Sequence, residues 1–283
     1  MVWALIASLA VVLMDPAAPV KAPAHRPTRL VRASATAQYE VPSPYESEAE
    51  QQLFTLANRM RAQEGLPPLQ ADEGLTQAAR AHAAAIAAQQ QLSHQLPGEP
   101  SLAERLAKSS TLHLDHAGEN LASAGSVERA HEILMLSPPH RENLLNPSYN
   151  VAGIGAVRSG DILYVVQDFG QFLPIYSTQQ ADDFVAASVS QMRGRASLPV
   201  LRREDGSNAQ ASACAMAQAN SLNTPHPAGQ YIVRYTSMQP ESLPASASKA
   251  IADRNIRAFS VGTCYARTAS YPNGVYWVTL LFY

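Results

Sequence analysis

His94, Glu119 and His140 are the side chains of this chain whose types and order could do chemistry. Neutral imidazole is the commonest protein ligand for zinc, and a carboxylate beside it either ligates the ion or acts as a general base toward bound water. The three sit in short phrases, Leu92-Ser93-His94, Gly118-Glu119-Asn120-Leu121 and Ser137-Pro138-Pro139-His140-Arg141-Glu142-Asn143-Leu144-Leu145. A fold that gathers the phrases therefore gathers two imidazoles and a carboxylate. The competing reading is architectural: Glu119 accepts from buried backbone N–H groups and His140 caps the turn before Arg141, because buried polar groups have to be paired. Arg141, Asn143 and Asn120 read as side chains that lock carbonyls. A Ser-His-acid hydrolase would draw on Ser93 or Ser137, but neither lies in a Gly-x-Ser-x-Gly elbow, and side chains adjacent in sequence point apart. His113 and His116, spaced His-x-x-His around Asp115, read as a solvated loop before Gly118.

In this order, and followed by Tyr164-Val165-Val166-Gln167-Asp168-Phe169-Gly170, the phrases resemble the CAP superfamily of cysteine-rich secretory, antigen 5 and pathogenesis-related 1 proteins, in particular its bacterial SCP-like branch. The resemblance covers roughly Glu48 to Gly170. It implies an α-β-α sandwich with a cleft where two histidines and two acids converge, which in some members holds a divalent metal. Matched motif by motif, His94, Glu119 and His140 take three of those places, so zinc or another divalent cation is the implied cofactor. The fourth place is open: Leu134 stands where the family has Trp, and Ser137 where the acid belongs one turn later, leaving Glu128, Glu132 and Glu142 as substitutes. The resemblance further implies a binding or envelope-associated role toward a small amphiphile or lipid, an envelope component or a protein partner. The enzyme alternative is a metal-dependent hydrolase with the ion on His94 and His140 and Glu119 as base.

The elements that must position these residues read as α+β. Ser47 and Glu50 form a capping box, and Leu53, Leu56, Ala57 and Met60 follow at helical spacing until Gly65-Leu66-Pro67-Pro68. The alanine-rich run Glu73 to Gln91 carries Leu75, Ala79, Ala83 and Ile86 on one face, a second helix with His94 just past its end. Short helices are expected over Leu102 to Ala107, over Ser126 to Leu136 and from near Pro139. Val151 to Val157 and Ile162 to Val166 read as a β-hairpin around Arg158-Ser159-Gly160-Asp161.

Over the whole chain, 283 residues suit two domains. The net charge of −2 comes without a basic stripe, which excludes a nucleic-acid partner. The apolar run Val2 to Met14 is too short for a bilayer of about 30 Å and fits a secretory signal, so residues 1–24 are expected as a signal peptide with no transmembrane span in the mature chain. That places the protein as secreted or periplasmic. Residues 25–46, rich in Pro, Ala, Ser, Thr and Arg, read as a disordered linker. Residues 47–171 are then the CAP domain and 172–283 a second, smaller, degenerate CAP-like repeat. Met60-Arg61-x4-Leu66-Pro67-x-Leu69 recurs as Met192-Arg193-x4-Leu198-Pro199-x-Leu201, the alanine-rich helix as Ala209 to Ser221, and His94 as His226, a histidine without acidic company. Ala152-Gly153-Ile154-Gly155-Ala156 is echoed by Val261-Gly262-Thr263-Cys264-Tyr265. Cys214 and Cys264, the only cysteines, fall on copied elements that must pack together, and an exported chain would join them as a disulfide.

Overall fold

Leu53, Ala57 and Arg61 turn inward from α1 (Ser47–Gln63). The expected capping box is absent: Glu46 is the N-cap, and buried Glu50 reaches across to Arg80 at 2.5 Å and to the Ala156 N–H. A buried carboxylate needs a charged partner more than a helix end needs a second acceptor. The computed structural model describes residues 44–225, 227, 229 and 231–283. The expected signal peptide, the linker up to residue 43 and His226 lie outside the described residues. Tyr45, at the end of that linker, bridges Val157.

The strand β1 (Gln70–Ala71) leads into α2 (Glu73–Gln89), which Asp72 caps by accepting from the Leu75 N–H at 2.8 Å. Then come α3 (Leu102–Ser109), with a full Ser101/Glu104 capping box, β2 (His113–Ala124), α4 (Val127–Leu136), α5 (Pro138–Leu144), β3 (Val151–Ser159) and β4 (Ile162–Leu173). The strands form one sheet in the order β1-β3-β4-β2, parallel at β1/β3 and antiparallel elsewhere. Strand β2 was not anticipated, because its first half is polar and does not alternate.

Alternation along β3 and β4 gives the sheet two apolar faces. Ile154, Ala156, Leu163 and Val165 pack with Leu53, Ala130 and Leu134, while Tyr164 and Val166 pack with Ala79, Ala83 and Ile86 of α2. Helices thus cover both faces, the α-β-α arrangement expected. Gly153 and Gly155 let α2 lie directly on β3: a Cβ at either would collide with the helix backbone at Thr76 or Ala79.

The remaining elements are α6 (Thr178–Arg195), β5 (Arg202–Arg203), α7 (Ser207–Ala219), β6 (Tyr231–Ser237), α8 (Ala247–Ala252), β7 (Ala258–Ala266) and β8 (Val275–Phe282). Their sheet runs β5-β7-β8-β6, again parallel only at β5/β7. Gly262 lies against Ala209 and Gln210 of α7 as Gly153 lies against Leu75 and Thr76 of α2. Cys214 on α7 and Cys264 on β7 are bonded through sulfur, with Cα atoms 5.1 Å apart. The two sheets also meet. His113 is not in a solvated loop: it is buried on β2, its Nε2 2.8 Å from the Met238 carbonyl and its ring edge-on to Tyr265 and Tyr276. Arg267 donates to the carbonyls of Ala107, Ser110 and Leu112 at 2.8–3.0 Å.

Candidate functional site

The outer strand of the first sheet, β2, carries Glu119 facing α2 and Asn120 facing α5. The register sets Glu119 directly opposite Asp168 of β4, with Gly153 of β3 next in the row. Having no side chain, Gly153 leaves the space above this row to α2 and α3. From α2 comes His82, and from α3 comes Arg105, both buried. Arg105 Nη2 donates a short charged hydrogen bond to Glu119 Oε2, and His82 Nε2 lies 3.7 Å from the same oxygen. Glu119 Oε1 accepts from His94 Nδ1 at 2.8 Å. Arg105 and His94 thus take up the carboxylate of Glu119, one on each oxygen.

Behind this pair, His82 faces Glu99 Oε1 at 2.7 Å and the Ser93 carbonyl at 3.0 Å. Burial pushes the Glu99 carboxyl up, but the Leu96 N–H, His82 and Arg105 outweigh it and hold it below the usual range. Arg105 also donates to the carbonyls of His94 and Pro100, at 3.1 and 3.2 Å. These bonds fix the loop after α2 and hence His94. Asp168 is fully buried, and neither of its oxygens has a partner among the described residues. Burial, and then the Glu119 charge across the strand, hold it well above the carboxylate range against the pull of Arg105. Two carboxylates cannot bond each other, whereas a protonated Asp168 can donate to Glu119.

His94 bonds inward through Nδ1, and its side chain is 62% exposed; in the neutral ring, Nδ1 donating to Glu119 leaves Nε2 as an acceptor. His140 comes from α5, whose first turn begins with Pro138 and Pro139. Asn120 Nδ2 donates to the His140 carbonyl at 2.9 Å, and Asn143 Nδ2 to the Glu119 carbonyl at 3.2 Å. The asparagines therefore tie α5 to β2, as the phrases suggested. Burial, then the neighbouring His94, push His140 below the usual imidazole range, and its Nδ1 is buried without a partner among the described residues.

Of the sequence-selected trio, His94 and Glu119 are bonded, His140 on α5 is near enough for the His94 charge to act on it, and Glu119 serves its protein neighbours. Glu132 pairs with Arg129 on the surface, and Glu128 sits at the N-terminus of α4 beside Ser126. Arg141 reaches Glu64 at 2.6 Å instead of locking carbonyls. Missed in the sequence were Arg105, His82, Glu99 and Asp168. The available signal was Asp168 itself, an acid inside the otherwise apolar run Tyr164 to Phe169, which calls for a buried partner. Among the described residues, no three or more His, Cys, Asp or Glu side chains are grouped so as to hold a metal ion.

The sequence pattern of the cysteine-rich secretory protein family, CAP, matches residues 54–169, the span that holds every side chain of this cluster. Residues 54–169 are a CAP domain. Over 114 residues the CAP domain is 36% identical to the Bacillus subtilis (strain 168) protein YkwD, covering 40% of this chain and 44% of that one. An extracellular SCP-domain protein of Bacillus anthracis is 28% identical with a TM-score of 0.41, over 44% of this chain and 41% of its own. An outer surface protein of Borrelia burgdorferi is 24% identical with a TM-score of 0.42, over 44% of this chain and 94% of its own. The chain thus spans less than half the length of either Bacillus relative. No helix among the described residues is long and apolar enough to cross a membrane.

Proposed function

We propose that the chain is an exported binding protein, secreted or periplasmic, whose CAP domain offers His94 and His140 to a ligand while residues 172–283 form a smaller CAP-like copy without such a cleft. The observation that carries this reading is the division of labour at Glu119. Its carboxylate is fully engaged by Arg105 and His94, so it orients the imidazole and leaves Nε2 of His94 turned outward. A carboxylate behind an imidazole is the usual support of a metal-bound histidine. Two neutral imidazoles suit a divalent cation such as zinc, bound weakly because structural zinc takes four protein ligands. Such an ion would supply Lewis-acid polarisation to a ligand at the mouth of the cleft. Metal-dependent hydrolysis is the weaker reading, since Glu119 has no free oxygen with which to act as base.

The site-less copy is supported by the shared strand order and by the row that carries the acids. By the registers of the edge strands, Gly153-Asp168-Glu119 corresponds to Ser260-Leu281-Ile232; by the glycine that admits the helix, it corresponds to Gly262-Thr279-Arg234. Neither superposition brings an acid or a histidine to the place.

Calorimetric titration of zinc into the full chain tests the cleft. One weak site in the wild type, absent in both His140→Ala and His94→Ala, is the expected outcome. An isotherm unchanged in His140→Ala would remove the metal from the proposal.

A further inference from the structure

The buried arginine of each half makes the same bonds, except one. Arg61 donates from Nε to the Pro67 carbonyl, from Nη1 to the carbonyls of Leu144 and Asn146, and from Nη2 to the Tyr149 carbonyl. Arg193 repeats the first three, to Pro199, Ile251 and Asp253 at 2.8–2.9 Å. The carbonyl in the place of Tyr149 is that of Ile256, and it accepts from Arg257 Nη1 instead, at 3.3 Å. Arg193 is almost wholly buried, and its Nη2 has no partner among the described residues.

Arg193 lines a cavity of about 440 Å³ together with Arg254 and Arg257, and Leu198, Val200 and Ile256 form its apolar wall. Arg254 and Arg257 are exposed, and the Arg254 side chain has no partner among the described residues. Asp253, beside Arg254 in the chain, accepts from the Tyr231 hydroxyl and the Asn255 N–H, and those bonds, backbone first, with a smaller pull from Arg193, hold it low in pKa. Three arginines therefore line one cavity with no acid among its lining residues. The Arg257 charge acts against that of Arg193 and Asp253 acts with it, while Arg257 Nη1 donates to the Arg254 and Ile256 carbonyls, so an anion in the cavity would complete the compensation of these charges. Val200, among the most exposed apolar side chains of the chain at 74%, extends the apolar wall toward solvent.

We propose that this cavity is a binding site for a phosphate or carboxylate head carried on an apolar tail, the head on Arg193, Arg254 and Arg257 and the tail along Leu198 and Val200. A guanidinium forks two donors onto such a head, which a lone ammonium cannot do. The ligand would be an anionic amphiphile, either free in solution or presented at a lipid surface. The site is independent of the His94 and His140 cleft.

Titration calorimetry on the full chain with octyl phosphate, octyl glucoside and inorganic phosphate tests it. Octyl phosphate should bind, the uncharged glucoside should not, and inorganic phosphate should bind more weakly than the alkyl phosphate. In Arg254→Gln/Arg257→Gln, which leaves Arg193 and its structural bonds in place, affinity for octyl phosphate should fall about tenfold or more. Val200→Asp should weaken octyl phosphate and spare inorganic phosphate, and His140→Ala should leave both unchanged. Co-sedimentation with phosphatidylglycerol vesicles but not phosphatidylcholine vesicles would place the head at a membrane; octyl phosphate binding without co-sedimentation would make it a free ligand. Equal octyl phosphate affinity in the double variant and the wild type, binding of octyl glucoside as tight as that of octyl phosphate, or inorganic phosphate binding as tightly as the alkyl phosphate would each overturn the proposal.

Discussion

Glu119 and Asp168 are cross-strand partners on β2 and β4, the first bonded on both oxygens and the second, wholly buried, with neither oxygen paired among the described residues. The pairing works if Asp168 carries a proton. Its folded pKa is raised above the unfolded value, so its contribution to stability is fully present below the unfolded pKa and is lost as pH rises through the folded one. Asp168→Asn keeps a donor toward Glu119 and removes the titration. Relative to wild type, the variant should gain about 1–3 kcal/mol between pH 4 and pH 7. Urea unfolding at a series of pH values checks this, and a difference that stays flat with pH would mean that Asp168 is ionised in the fold.

Glu119→Gln and His94→Ala should separate the inner and outer halves of the site. Removing the carboxylate leaves buried Arg105 facing an amide, at a cost of about 3 kcal/mol. Removing the exposed imidazole should cost less than about 1 kcal/mol. Denaturant midpoints measure both. Equal losses would show that His94 is as much a structural member of the network as Arg105.

Breaking the Cys214–Cys264 bond should destabilise the second sheet. The bond closes a separation of 50 residues between α7 and β7, for which the chain-entropy model gives about 4 kcal/mol. Thermal melts of Cys214→Ala/Cys264→Ala against wild type test the magnitude. Thiol counting under denaturing, non-reducing conditions should find no free thiol in protein from an oxidising compartment.

A fragment running from Ser47 to Ser177 should unfold cooperatively, since its sheet and both helical layers are complete within it. It should do so at lower urea than the full chain, because His113 loses the Met238 carbonyl and the Tyr265 and Tyr276 rings, and three carbonyls lose Arg267. Paired urea curves decide. A molten fragment would mean that the two sheets share one cooperative unit.

Much of the fold is legible in local pattern. Leu75, Ala79, Ala83 and Ile86 repeat with the period of a helix and are buried on one. Gly160 with its positive φ turns the hairpin where Arg158-Ser159-Gly160-Asp161 falls between two β-rich runs. The capping box read at Ser47 yields to Arg80, a residue far along the chain that no local rule sees, whereas an unread one forms at Ser101. Strand β2 is hidden from local pattern for a related reason: its buried polar residues, His113, Glu119 and Asn120, find partners on α3, α5 and the second sheet, so the strand lacks the apolar alternation that marks a half-buried one.

The sequence by itself, through the family its phrases resemble, pointed to His94, Glu119 and His140 as neighbours, but not to His82, which lies 3.7 Å from the same carboxylate. Only the tertiary structure decided what each does. Whether Glu119 is a free base or a support depends on Arg105 of α3 and His94 reaching its two oxygens, and the charge state of Asp168 depends on burial opposite a second carboxylate. Electrostatic roles are set by distance and dielectric in three dimensions, and these are properties of neighbours in space that the order of residues along a chain does not contain.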